Sequence, residues 1–435
     1  MHAANDTPSQ QPPANGPPTA TGGPLRAAPQ DARCRRRARR AVTLIAFVLA
    51  LSAVTPACLA PFALAREIPG AAHIPGTAAP PGVAELPPRP HPAWTPAPPR
   101  RHVPARGIYL TGWTAGQKPE LLRLLALVDR TELNAVVIDI KDCSGRTTYP
   151  TQVAAAQRAG APRDDIADLG AVVRELHRRR IYAIARLVVF QDPVLARAQP
   201  ELAVQTPWGA QWREASGLMW VDPYSREVWD YNVAIALEAA RAGFDEVQFD
   251  YVRFPSDGNT KTCVYPHEDG RARREVIAGF LAYAGERLHE ANVYVSADIF
   301  GLVPSAEDDL GIGQYYELTA AAVDFVSPMA YPSHYALRSF GLPDPDAAPG
   351  PTVYRTTSDA LRRRDAAGAP AAVRPWLQDF SLRNPYGPRE VRAQIDAAES
   401  LGVREWLLWN ASNRYTEAAL KPGRREWGCP QPLEN

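Results

Sequence analysis

The 435-residue chain holds five cysteines, three methionines and eight histidines, and none of them falls in a metal-binding pattern. It has no Cys-x-x-Cys and no histidine cluster at zinc spacing, so neither a structural metal nor a cofactor is expected. The histidines are scattered, with only His334 near the end of a strand pattern, which argues against a metal-dependent deacetylase. Excess basic charge is also missing: the formal net charge is +1, whereas a nucleic-acid partner would call for a basic face to displace counterions from phosphates. Finally, the first strand pattern runs into Thr114-Ala115-Gly116 rather than a glycine-rich phosphate turn. An open, doubly wound dinucleotide-binding sheet is therefore the weaker architecture.

Proline is abundant, at 44 residues, and concentrated in the first hundred positions, where large apolar side chains are too few to offset the entropy of ordering. Residues 1–40 read as a disordered tail ending in the basic run Arg33, Arg35, Arg36, Arg37, Arg39 and Arg40. An apolar stretch follows, and residues 41–65 are either an export signal, with Ala63-Leu64-Ala65 as a small-x-small cleavage site, or a membrane anchor with the arginines on the cytoplasmic side. Either reading places the rest of the chain outside the cytoplasm, secreted or membrane-anchored. Residues 66–105 carry Pro80-Pro81, Pro87-Pro88 and Pro98-Pro99 and read as an extended spacer. In an oxidising compartment Cys143 and Cys263, both in loops on one face, are the expected disulfide pair.

From residue 106 the texture changes. Eight short apolar runs begin at Gly107, Ala135, Tyr182, Glu246, Val293, Asp324, Arg374 and Glu405, separated by helical patterns such as Pro119–Arg130, Ser225–Ala242 and Arg274–Ala291. Eight strands alternating with helices predict a (β/α)8 barrel over residues 106–428.

Barrel chemistry sits at the C-terminal ends of the strands, and polar residues fall late in nearly every run. Strand two ends in Asp139 and Lys141, strand three carries Arg186, strand four ends in Asp250, Tyr251 and Arg253, and strand five in Asp298. Tyr331 and His334 follow strand six, Gln378 lies on strand seven, and Trp409 and Asn410 end strand eight. Asp250 and Asp298, on adjacent strands, are the expected catalytic pair, because glycoside hydrolysis needs two carboxyls flanking one bond. Arg253 is the expected partner that keeps Asp250 ionised, and a dry pocket would keep Asp298 protonated. Asp139 with Lys141 or Arg186 fits a purely structural ion pair equally well. Trp113, Trp208, Trp212, Trp220, Tyr331, Trp376 and Trp409 supply faces on which sugars stack, with some of them expected in the core, while Trp229 and Trp406 are assigned to packing.

Six segments, GIYLTGW from Gly107, VVIDIKD from Val136, RLVVFQDP from Arg186, DEVQFDYVRFP from Asp245, VSADIFG from Val295 and VSPMAYPSHY from Val326, resemble a bacterial family of glycoside hydrolase barrels, the domain of unknown function 4015. That family is related at a distance to the alpha-amylase-like barrels. The resemblance spans Arg106 to Tyr415. It implies a strand-four aspartate nucleophile at Asp250 and a strand-five acid at Asp298, where alpha-amylase-like barrels usually carry the longer Glu. Chitinase-like barrels share a strand-six Met-x-Tyr, similar to Met329-Ala330-Tyr331. Their strand-four glutamate, however, is replaced here by Val252, which argues against substrate-assisted chemistry. The expected function is hydrolysis of an extracellular or cell-wall polysaccharide, and the alternative is a non-catalytic carbohydrate-binding barrel.

Overall fold

The computed structural model describes residues 103–423; the expected tail, signal or anchor segment and most of the spacer lie outside them. The strands are β1 (Arg106–Leu110), β2 (Ala135–Lys141), β3 (Tyr182–Val188), β4 (Glu246–Asp250), β5 (Tyr294–Phe300) and β6 (Phe325–Met329), then β7 in two pieces (Ala372–Val373 and Trp376–Gln378), and β8 (Trp406–Trp409). All pairings between neighbours are parallel, and β8 pairs with β1 through Gly107↔Leu407, closing the eight-stranded ring. β7 breaks at Arg374-Pro375 because proline has no N–H for the ladder; its carbonyl still accepts from the Leu407 amide at 3.0 Å, so closure survives.

The longest helix in each crossover is α1 (Lys118–Arg130), α2 (Leu169–Arg178), α3 (Arg226–Ala242), α4 (Arg273–Glu290), α5 (Tyr316–Ala320), α6 (Pro349–Ala367) and α7 (Pro388–Ser400). Their boundaries follow local chemistry. Asp168 and Ser225 cap the first turns of α2 and α3 by accepting backbone N–H groups, and Gly243 ends α3 at φ 103, a conformation that favours glycine.

Strand alternation sorts the side chains into two cores. Val136, Ile138 and Ile140 face outward and pack with the helices, whereas Tyr109, Val137, Ile184, Tyr331, Trp376 and Leu407 fill the barrel itself. One expectation fails here. Cys143 is disulfide-bonded while Cys263 is a free, half-buried thiol, so the Cys143–Cys263 bridge does not form.

Candidate active site

The period of two that directs Val137 into the barrel does the same for Asp139, Arg186, Asp250 and Asp298, one or two residues nearer the C-terminal mouth. All four are at least nine-tenths buried. Arg186 is the hub. Its Nη1 donates to Asp139 Oδ1 at 2.5 Å, its Nε to Asp250 Oδ2 at 3.1 Å, and its Nη2 makes a shorter bond to the same Asp250 oxygen. Asp298 Oδ2 is reached only at 3.9 Å from Nε. Because one nitrogen faces both aspartates, the 3.1 Å and 3.9 Å legs bound how far apart their Oδ2 atoms can lie.

Three carboxyls share one guanidinium, and the distribution is unequal. Burial draws the Arg186 pKa down, but Asp139 and Asp250 outweigh it and hold the group well above its ordinary range. Burial, reinforced by the Asp250 charge, holds the Asp298 carboxyl well above the usual carboxylate range, with Arg186 opposing. Asp139 is also raised by burial, against Arg186 and the Tyr109 hydroxyl, which donates to its Oδ2 at 2.5 Å. The Trp376 indole N–H donates to Asp298 Oδ1 at 2.8 Å. An indole can only donate, so Oδ1 is an acceptor and Oδ2, facing Arg186 and Asp250, is left to carry the proton.

Backbone geometry fixes Asp250. Tyr251 sits at φ 49, a left-handed conformation costly for an aromatic residue, and this turns its amide back onto Asp250 Oδ1 at 2.6 Å. Around the cluster Tyr109 stacks on Trp409 with centroids 4.0 Å apart, and Arg186 lies 5.1 Å from the Trp409 ring. Tyr331 packs against His334 and Phe380. Its phenol is held protonated by burial and by Asp298 and Asp250, and the Tyr251 phenol is pushed up to about 12 by burial and then by Asp250. His334 is pushed down to about 4 by burial and then by Arg383, so its imidazole is neutral at pH 7.

The structure thus gathers Asp139, Arg186, Asp250, Tyr251, Asp298, Tyr331, His334 and Trp409 at the mouth. The other expected residues stand elsewhere or serve otherwise. Lys141 follows a register shift in β2 and turns out of the barrel. There its ammonium is fully buried, paired with Asp192 at 2.7 Å and bonded to Asn232 of α3 and the Val188 carbonyl, which leaves no donor for a ligand. Gln378, also fully buried, spends its amide on the Ser333 N–H and the Phe380 carbonyl. Asn410 holds its own loop through the Asp379 and Arg414 carbonyls. Trp113 is exposed on the short helix Gly112–Gly116 after β1. Arg253 does not pair with Asp250; that partner is Arg186, and Arg253 lies instead among aromatic rings. Of the other aromatics, Trp208 is exposed, whereas Trp212, Trp220, Trp229 and Trp406 are buried.

Two contributors escaped the sequence reading: Tyr109 as the donor to Asp139, and Trp376 as the donor to Asp298. Both point into the barrel from within a strand or at its start. Strand alternation, read together with the strand ends, marks Tyr109 as inward. Among the described residues, no group of three or more His, Cys, Asp or Glu side chains is placed to hold a metal ion.

No curated protein matches the chain in sequence. A hypothetical protein from Ruminiclostridium thermocellum shares 40% identity, covering 47% of this chain and 98% of its own, with a TM-score of 0.41. The glycoside hydrolase domain of PgaB (BpsB) from Bordetella bronchiseptica aligns over 70% of this chain and 94% of its own at 15% identity and TM-score 0.53, a likeness of fold. A chitinase from Chromobacterium violaceum aligns over 72% of this chain and 98% of its own, at 14% identity and TM-score 0.43. Residues 107–415, nearly the whole barrel, match the family described as "Putative glycosyl hydrolase domain" (DUF4015), and the chain belongs to that family.

Proposed function

We propose that the barrel hydrolyses glycosidic bonds in an extracellular or cell-wall polysaccharide, with Asp298 as general acid and Asp250 as nucleophile or as the base that activates water. The observation carrying this reading is the unequal use of Arg186. It binds Asp250 directly through two nitrogens but reaches Asp298 only at 3.9 Å. Of two neighbouring carboxyls in one buried site, one is held in an ion pair and the other, raised by burial, keeps its proton, the division of roles that a nucleophile and an acid require.

Asp298 Oδ2 gives its proton to the glycosidic oxygen as the bond to the anomeric carbon breaks. Asp250 stabilises or captures the positive charge left on the sugar. Asp139 and Tyr109 hold the other side of Arg186, and Trp409 and Tyr331 offer faces for the sugar ring. The basic run, apolar stretch and proline-rich spacer ahead of the barrel support action outside the cytoplasm.

The test is reducing-sugar release from a panel of bacterial exopolysaccharides and α- and β-glucans by the parent, Asp250→Asn and Asp298→Asn. Release by the parent, falling by about 100-fold or more in each variant, supports the pair. Undiminished release by either variant removes that residue from the chemistry. Retention of a glycan without release by the parent favours the non-catalytic binding barrel. The anomer formed first, read by proton NMR, separates retention from inversion.

A further inference from the structure

The mouth holds a second buried guanidinium, that of Arg253, in circumstances unlike those of Arg186. Arg253 is 7% exposed and lies over the rings of Phe300, Trp220 and Tyr251, with Cζ 4.6, 4.8 and 5.0 Å from their centroids. Its Nη1 donates to the Phe254 carbonyl at 3.1 Å and to Ser256 Oγ at 3.0 Å. Among the described residues no carboxylate pairs with it, and its Nε and Nη2, which have no hydrogen-bond partner, keep contact with solvent.

None of the acids nearby forms an ion pair with it: Asp257 accepts from the Gly258 amide, and its other oxygen, buried without a hydrogen-bond partner, makes no ion pair with Arg253. Asp250 is bound by Arg186, and Glu214 accepts from Gln191, Ser216 and the Trp220 indole. Burial therefore prevails over their pull and lowers the Arg253 guanidinium from its ordinary range. The location is specific: Arg253 is three residues past Asp250, and Phe300, on which it stacks, is two past Asp298.

A buried cation without a counter-ion is costly, and aromatic faces return only part of the lost hydration. A sugar hydroxyl could fill the two free N–H positions but would leave the charge unbalanced. A carboxylate would fill both and balance it, since its two oxygens match the guanidinium edge. We infer that the Nε/Nη2 edge of Arg253 recognises the carboxylate of an acidic sugar, and that the polysaccharide cut at Asp250 and Asp298 contains uronate residues. The second half of this inference rests on the hydrolase reading; the first does not.

The test is calorimetric titration of the full chain with D-glucuronate and with D-glucose. Glucuronate is expected to bind about ten-fold tighter, the worth of one charge-assisted contact. The preference should vanish in Arg253→Gln, weaken in Arg253→Lys, which keeps the charge without the fork, and persist in Asp298→Asn. Equal binding of the two sugars by the parent, or an undiminished preference in Arg253→Gln, overturns the inference. Should Arg253→Gln not fold, the melting temperature of the parent decides: a rise with glucuronate and none with glucose supports the site, and equal rises overturn it. Reducing-sugar release from neutral polysaccharides alone would remove the uronate substrate and leave the hydrolase. A glucuronate preference in a chain that cleaves nothing would keep the site and remove the hydrolysis.

Discussion

At both ends of the barrel a guanidinium is buried among carboxylates, and the two ends use it differently. At the N-terminal end Arg374 forms a short ion pair with Glu246 and lies 3.9 Å from Glu405, over the Phe325 ring. The carboxylates there have further donors: Ser296 and Tyr182 bond Glu246, and the Ala105 amide bonds Glu405. Burial draws Arg374 down, but Glu246 and Glu405 outweigh it and raise its pKa. At the C-terminal end Arg186 serves three carboxyls and reaches the third poorly, so Asp298 keeps its proton. The same residue types seal one end and leave a protonated carboxyl at the other, and the ratio and reach of the donors make the difference.

The largest effect is expected on stability, at the sealed end. Arg374→Met leaves Glu246 buried and uncompensated, at a cost of about 3–5 kcal/mol, read as a lower urea midpoint. Hydrolysis per folded molecule should not change. Arg186→Met should show the converse emphasis, with hydrolysis falling by about 100-fold or more, as for loss of an acid–base group. Equal loss of activity in the two variants would erase the distinction between the ends.

The folded pKa of Asp298 is raised well above its unfolded value, which is about 3.9. The native state therefore holds a proton that the unfolded chain releases. This contribution to stability is complete below about pH 4 and is lost as pH rises through the folded pKa. Asp298→Asn should thus gain stability relative to the parent over that window, in melts taken at stepped pH. A constant difference would mean that Asp298 is not the protonated group. In the parent, kcat/KM should fall as pH rises through the same folded pKa, because the acid form is lost.

Smaller still is the effect of Trp376→Phe, which removes the donor to Asp298 Oδ1. That hydrogen bond lowers the Asp298 pKa, so the variant should move the alkaline limb of the pH–rate profile upward. An unmoved limb with a lower kcat would indicate loss of packing instead. The smallest change expected is for Trp113→Ala. Trp113 is 58% exposed, so stability should stay within about 0.5 kcal/mol, while KM for a polymer rises a few-fold if its face carries a sugar.

The period-two and three-to-four-residue patterns carried the architecture, because they record which side of each strand and helix leaves water. All eight strands, the barrel and the inward aspartates at 139, 250 and 298 could be read from them. Spacing could not show where a long side chain ends. Lys141 and Arg186 sit alike late in neighbouring strands, yet the register shift in β2 sends Lys141 outward to Asp192, while Arg186 turns inward. Arg253 follows Asp250 more closely in sequence than Arg186 does, yet the left-handed turn at Tyr251 lies between them, and Arg253 packs on aromatic rings. The sequence does put the proton on Asp298, but it names Arg253, not Arg186, as the cation that binds Asp250. What keeps it there is the unequal reach of one guanidinium inside a dry site, bonded directly to Asp250 but 3.9 Å from Asp298, and the closed barrel fixes those distances.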